Sequence, residues 1–172
     1  MTETITHIAV KKLNGTDASD NYQTLKNVEI EKDERGCLVI DAPDVANERV
    51  VTNDLVEIIG TNQFRWLGRY DNVINSGGVK IISEEVERIL NRLLNRRFFV
   101  SGLLDKKLGE RLVLIIEGEK FSEGEKTQLN QSMKKELPKY SIPKEIFFID
   151  KFEETDSGKV KRKTTIAQLN LT

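Results

Sequence analysis

The apolar pattern changes character near Gly68-Arg69-Tyr70-Asp71, from strand-like runs alone to strand-like runs mixed with helical spacing. Before it, Ile8-Ala9-Val10, Val28-Glu29-Ile30, Leu38-Val39-Ile40 and Leu55-Val56-Glu57-Ile58-Ile59 are short runs rich in β-branched residues, with Gly, Asn and Asp between them. Such runs predict strands. Gly60-Thr61-Asn62 predicts a hairpin turn into a further strand at residues 63–67. No helical pattern precedes residue 68, and the strands are too few to close a barrel by themselves.

Beyond the change, Val86, Ile89, Leu90, Leu93 and Leu94 recur at helical spacing. Ser83 stands before them as an N-cap, and Glu84 and Glu85 fall where acids complement the helix dipole, so a helix is expected over residues 84–95. Ser122 with Glu125 three residues later predicts a capping box for a second helix over residues 122–137. Strands are expected at residues 98–103, 112–116 and 146–149, the first two joined by a turn at 105–110, and a short helix at 163–169. The fold class is therefore α+β: a β-rich segment, residues 1–70, followed by a domain of residues 71–172 with helices packed on a three-stranded sheet.

Composition excludes several classes of function. Twenty-seven Lys and Arg nearly cancel 28 Asp and Glu, leaving a net charge of −1 and no reason to expect nucleic acid as a partner. Lys159, Lys161, Arg162 and Lys163 do cluster, which by itself describes a solvated basic run. Three prolines and no low-complexity run argue for a folded chain. One Cys and one His give neither a disulfide nor a zinc spacing, and Cys37, inside an apolar run, reads as a buried strand residue. No apolar stretch is long enough for a membrane helix and no signal sequence opens the chain, so a cytoplasmic location is expected.

Four segments carry candidate chemistry. Met1-Thr2-Glu3-Thr4 means little alone. Asp54, in Thr52-Asn53-Asp54-Leu55, reads by itself as a turn residue ahead of a strand. Trp66-Leu67-Gly68-Arg69-Tyr70-Asp71-Asn72-Val73-Ile74-Asn75-Ser76-Gly77-Gly78-Val79-Lys80-Ile81 places paired glycines between apolar runs. That pattern fits a tight hairpin, or a backbone that a ligand approaches closely. Thr155-Asp156-Ser157-Gly158-Lys159 presents a lysine on a loop as a mobile point charge for phosphate or carboxylate oxygens, without the glycine spacing of a Walker loop.

In this order the four segments resemble the acyl-adenylate-forming superfamily of acyl-CoA ligases, luciferases and peptide-synthetase adenylation domains. The resemblance implies the small C-terminal domain of that fold, a three-stranded sheet with helices plus a β-hairpin, preceded by strands of the large domain's β-barrel subdomain. It implies ATP/AMP, Mg²⁺ and coenzyme A as cofactors, a small-molecule carboxylate as substrate and an N-terminal large domain lying before Met1 as partner. Residue by residue, it implies Thr2 against the AMP phosphate, Glu3 as the Mg²⁺ ligand, and Asp54 and Arg69 on the ribose. Asp71 would be the hinge between domains. Ser76, Gly77 and Gly78 would line the pantetheine path, and Lys159 would bridge the acyl carboxylate and the α-phosphate during adenylation.

The wording Met-Thr-Glu-Thr-Ile-Thr-His-Ile-Ala is most similar to 2-succinylbenzoate–CoA ligases of menaquinone biosynthesis, in which case His7 would touch the acyl group; an ordinary strand-edge histidine is the other reading. Asn53, Glu153 and Ser83 depart from the family's usual Gly, Pro and Pro and affect loop geometry. A chain without the family's phosphate loop is expected to be inactive alone and to expose strand edges open to self-association. An adenylation domain that loads a carrier protein, and a non-catalytic module that keeps the fold, are the competing expectations.

Overall fold

The computed structural model describes Thr4 and residues 6–169. They divide into two compact units, residues 1–71 and 72–172.

The first unit is one six-stranded antiparallel sheet. Its strands are β1 (Ala9–Val10), β2 (Asn21–Thr24), β3 (Glu29–Lys32), β4 (Cys37–Asp41), β5 (Val50–Gly60) and β6 (Gln63–Arg69), in the spatial order β1-β2-β6-β5-β4-β3. The expected hairpin turn joins β5 to β6. β2 was not expected: Asn21-Tyr22-Gln23-Thr24 is too polar to show as a strand, yet it pairs with both β1 and β6. Among the described residues the sheet is open, and its outer strands are blunted. β1 is two residues long, and β3 carries Glu29, Glu31 and Lys32, charges that oppose edge-to-edge pairing. Ile8, Leu38, Ile40, Ala42, Val56 and Phe64 form the core on one face.

The second unit starts from a hairpin, β7 (Val73–Ser76) and β8 (Val79–Ile82), which runs directly into helix α1 (Ser83–Leu90). Ser83 is not the N-cap expected of it. With no loop between strand and helix, Ile82 occupies that position without a side-chain cap, and Ser83 already lies in the first turn. α1 also stops five residues earlier than the periodicity suggested. Leu93 and Leu94 continue it as turns that still pack on the core. β9 (Phe98–Asp105) and β10 (Gly109–Glu117) form a long antiparallel pair, and α2 (Glu123–Glu136) then crosses to β11 (Glu145–Ile149), which lies parallel to β10. α2 has the full capping box between Ser122 and Glu125. α3 (Arg162–Ala167) follows the Lys159 loop.

Three strands with a hairpin become one five-stranded sheet, because Gly109 of β10 pairs with Asp105 on one side and Ser76 of the hairpin on the other. β10 is the centre of the unit. Its residues Leu112 to Ile116 are all at most 1% exposed, the unbroken apolar run of a strand covered on both faces. Leu112, Leu114 and Ile116 meet Val86, Leu90, Leu129 and Met133 of α1 and α2. Val113 and Ile115 meet Phe99, Phe152 and, through Ile166, α3. No helix among the described residues is long and apolar enough to cross a membrane.

Candidate functional site

Three local arrangements hold the sequence-predicted residues. In the first unit, Asp54 sits on β5 opposite Arg69 of β6. Its Oδ1 accepts from the Trp66 indole Nε1 at 3.1 Å and from Arg69 at 3.4 Å. No donor among the described residues reaches Oδ2, so one carboxylate oxygen stays available while the other fixes the rotamer. Arg69 reaches Asp71 with its other terminal nitrogen, also at 3.4 Å, and Asn53 donates to the same Asp71 oxygen. Burial works against the Arg69 charge, but Asp54 and then Asp71 outweigh it and raise the pKa above the ordinary arginine value.

Asp54 and Trp66 line an open cleft of about 410 Å³. Thr4, His7, Tyr22 and Phe64 line the same cleft, Tyr22 and Phe64 stacked with ring centroids 5.3 Å apart. His7 and Asp54, far apart in sequence, thus face one space. An aromatic wall with few polar groups is suited to a flat, partly polar ligand. Thr2 and Glu3, expected at phosphate and metal, lie outside the described residues. Among the described residues no cluster of three His, Cys, Asp or Glu could hold a metal ion.

Asp71 falls in a 3-10 turn, Tyr70–Asn72, at the end of the first unit. In the second unit, Ser76, Gly77 and Gly78 form the β7–β8 turn. Both glycines have positive φ, 61° and 83°, as a two-residue hairpin turn of type I′ demands. The Gly77 N–H donates to Leu108 O at 2.8 Å, which pins the turn to the β9–β10 connection. A Cβ on Gly77 would press on Leu108 at 3.2 Å, whereas one on Gly78 would point into open space. Gly78 therefore presents bare backbone to solvent.

Lys159 stands at the end of a tight loop. Its backbone N–H donates to Thr155 Oγ1 at 3.1 Å, and its carbonyl accepts from the Thr155 N–H at 2.8 Å. Gly158 makes the turn at φ 76°. Each side of this loop is tied down. Glu154, before it, pairs with Arg97, which also holds Glu117. Arg162, after it, pairs with Glu87 of α1 at 2.9 Å, contacts Val100 O at 3.3 Å and lies over the Phe99 ring. Glu87 also accepts from the Val100 N–H at 2.9 Å. Burial raises the Glu87 pKa, against the lowering effect of Arg162 and that backbone donor. The Lys159 ammonium itself has no ion-pair partner among the described residues.

The sequence reading missed Trp66, Glu87 and Arg162. Trp66 opens the segment that runs to Ile81, and the in-out alternation of β6 was the signal that could have paired it with Asp54. Glu87 is an acid between the apolar positions Val86 and Leu90, a pattern that asks for a cationic partner.

Comparison with known proteins agrees with this architecture. Residues 95–159 match the AMP-binding enzyme C-terminal domain. An acyl-CoA synthetase (AMP-forming)/AMP-acid ligase II-like protein from Dyadobacter fermentans is 40% identical, with a TM-score of 0.57; the match covers 99% of this chain and 49% of that one. The o-succinylbenzoate CoA synthetase of Bacillus subtilis, solved with its acyl-adenylate intermediate, is 25% identical over 87% of this chain and 35% of its own, with a TM-score of 0.71. Gramicidin S synthase 1 of Brevibacillus brevis is 33% identical over 126 residues, 72% of this chain and 11% of its own length. The chain thus spans half or less of each of these relatives. Over residues 95–159 it matches the AMP-binding enzyme C-terminal domain, and the chain is related to AMP-forming acyl-CoA ligases and adenylation domains.

Proposed function

We propose that the chain supplies the final strands of the large domain, residues 1–70, and the mobile C-terminal domain, residues 71–172, of an ATP-dependent, AMP-forming acid–CoA ligase. The observation that carries this reading is the Lys159 loop: a lysine with no ion-pair partner, on a mount tied by ion pairs on both sides. A positioned cation of this kind acts where charge develops, with little reorganisation. In adenylation, a substrate carboxylate oxygen bonds to the α-phosphorus of ATP and pyrophosphate leaves. Lys159 offsets the charge that accumulates on the carboxylate and phosphate oxygens. Asp54 Oδ2 accepts from a ribose hydroxyl while Oδ1 stays with Trp66 and Arg69. Thr2 and Glu3 would meet the phosphate and a Mg²⁺ ion, which would supply further charge compensation.

The C-terminal domain then turns about Asp71, withdrawing Lys159 and bringing the Ser76-Gly77-Gly78 turn to the reaction centre. The CoA sulfur, its proton lost to solvent, attacks the acyl carbonyl, and AMP leaves. Bare backbone at Gly78 suits a narrow path for the pantetheine arm. The cleft that His7 shares with Tyr22, Phe64 and Trp66 favours an aromatic acid, and 2-succinylbenzoate fits the likeness to the Bacillus subtilis enzyme. A second reading, loading of a carrier protein, is supported by the likeness to gramicidin S synthase 1.

The test uses the enzyme with its large domain in place. Lys159→Ala should slow adenylation by roughly 10²–10³-fold yet spare transfer from a pre-formed acyl-adenylate to CoA. Equal slowing of both half-reactions in single-turnover measurements would show that the lysine does not leave between steps. The 172-residue chain alone should release no pyrophosphate with ATP, CoA and 2-succinylbenzoate; turnover near ~10 s⁻¹, typical of enzymes, would overturn that expectation.

A further inference from the structure

Tyr70–Asn72 is a single 3-10 turn that straddles the boundary of the two units, and neighbouring side chains on it are anchored in different units. Asp71 is anchored in the first: its Oδ2 accepts from Asn53 and from Arg69, both at 3.4 Å. Asn72, the next residue, is anchored in the second, where its side-chain amide donates to Glu84 in the first turn of α1. The change of anchorage falls on one peptide link.

The anchor on the first side has a support of its own. Arg35 stands on the turn between β3 and β4, where the Asp33 carboxylate accepts from the backbone N–H groups of Arg35 and Cys37, both at 2.9 Å. From that mount the guanidinium donates from Nε to Asp33 at 2.9 Å, from Nη1 to Asn53 Oδ1 at 2.9 Å and from Nη2 to Thr52 O at 3.1 Å. Its central carbon lies over the Tyr70 ring, 5.1 Å from the centroid. Because Arg35 takes the Asn53 oxygen, the amide nitrogen is the end turned to Asp71. Arg35 thus holds both residues before the link, Tyr70 directly and Asp71 through Asn53. A lysine could not replace it, since an ammonium has neither the flat face nor the forked donors.

We infer that Arg35 and Asn53 are positioning residues that clamp Tyr70 and Asp71 to the first sheet, and that Glu84 clamps Asn72 to α1, an inference that rests on the domain turning proposed above. Rotation is then confined to the Asp71–Asn72 link. A few backbone torsions at such a link can absorb a large change of direction. A short joint also keeps Lys159 at a higher effective concentration near the reaction centre than a slack connection of several residues would.

The clamp is tested by backbone amide relaxation in NMR on the 172-residue chain. In the parent, order parameters at Tyr70 and Asp71 should equal those of β5 and β6, about 0.85. Asn53→Asp keeps an acceptor for Arg35 but turns a carboxylate toward Asp71. Asp71 should loosen to about 0.6 or below, and Tyr70 should stay ordered. Arg35→Ala should loosen both, and Arg35→Lys should not restore them. Glu84→Ala should loosen Asn72, whereas Glu84→Gln, which still offers an oxygen, should not. Amides of β4 and β10 should keep their values throughout, which separates release of the clamp from unfolding. Tyr70 and Asp71 already loose in the parent, or still ordered in Arg35→Ala, would overturn the clamp.

In the enzyme with its large domain in place, Arg35→Ala should slow adenylation and thioester formation alike, each several-fold, with the KM for ATP unchanged. A raised KM with kcat unchanged would mean that Arg35 serves binding, and would overturn its positioning role. Loosening without any change in either half-reaction would overturn that role too and leave the ligase reading standing. A parent that catalyses neither half-reaction would remove the ligase reading, and the relaxation data would then decide the clamp by themselves.

Discussion

The two units solve the same problem, burying a sheet, with different completeness. β10 has a core cluster on each face, one under α1 and α2 and the other against Phe152 and α3. The first sheet has one cluster, and that cluster opens into the cleft lined by His7, Asp54 and Trp66. Stability and function are thus divided differently. In the second unit the residues proposed to act, Lys159 and Gly78, stand outside a closed core. In the first, Leu38, Phe64 and Trp66 are wall of the cleft and packing of the sheet at once.

The widest expected difference is in core truncation. Leu114→Ala should cost about 3 kcal/mol or more, because Leu114 is fully buried between strand and helices. Leu38→Ala should cost less, about 2 kcal/mol, because a cleft wall can be rehydrated where a closed core cannot. Denaturant unfolding, with hydrogen exchange to read each unit separately, gives both numbers, and equal costs would break the comparison. The same exchange data should show β1 and β3 opening before β10; uniform protection would break it as well.

Next in size is the ion pair behind the lysine loop. Glu87→Ala should destabilise the second unit by about 2–3 kcal/mol, since it leaves Arg162 without its carboxylate and the Val100 N–H without its acceptor. Its distinguishing sign is local: exchange at Thr155 to Lys159 should rise more than exchange in α2. Ser122→Ala should cost about 1 kcal/mol through loss of the capping box, measured as a lowered midpoint.

The smallest effect is a dependence on pH. Hydrogen bonds from the Ser122 backbone and hydroxyl hold the Glu125 pKa below its ordinary value, and the backbone N–H groups of Leu108 and Lys107 do the same for Asp105. A depressed carboxylate contributes stability above its unfolded pKa and loses it as pH falls through the folded one. Glu87, raised by burial, works in the opposite sense: its contribution is complete below the unfolded pKa and declines as pH rises through the folded one. Acidification from about pH 6 to about pH 3 should therefore destabilise the Glu87→Gln variant more steeply than the parent. Parallel curves would mean that Glu87 is not held as described.

What could be read from the sequence was the part fixed by local chemistry. The Ser122–Glu125 box, the β5–β6 turn and the β9–β10 pair all depend on residues close together in the chain. Ser83 failed as a cap because a strand, not a loop, delivers the chain to α1, a fact set by pairing of β8 with β7. β2 failed because polar residues become a strand only when two neighbours supply the ladder. Asp54 and Arg69 were legible as motif residues, but the indole that orients Asp54 and the Glu87–Arg162 pair span different elements and appear only after folding.

The parallel register of β10 and β11 has a consequence for the order in which the molecule comes together. A parallel neighbour cannot be reached by a tight turn; the chain must first traverse α2, and contacts that far apart in sequence form late. The Lys159 loop comes after β11, and Arg162 must travel back to Glu87 across 75 positions. Pulse-labelling during refolding should find the amides of Thr155 and Lys159 acquiring protection after those of β9 and β10. The charged tip is then the last part of the unit to become fixed, so a chain caught halfway has its sheet but carries Lys159 on a loop without its two ion-paired anchors.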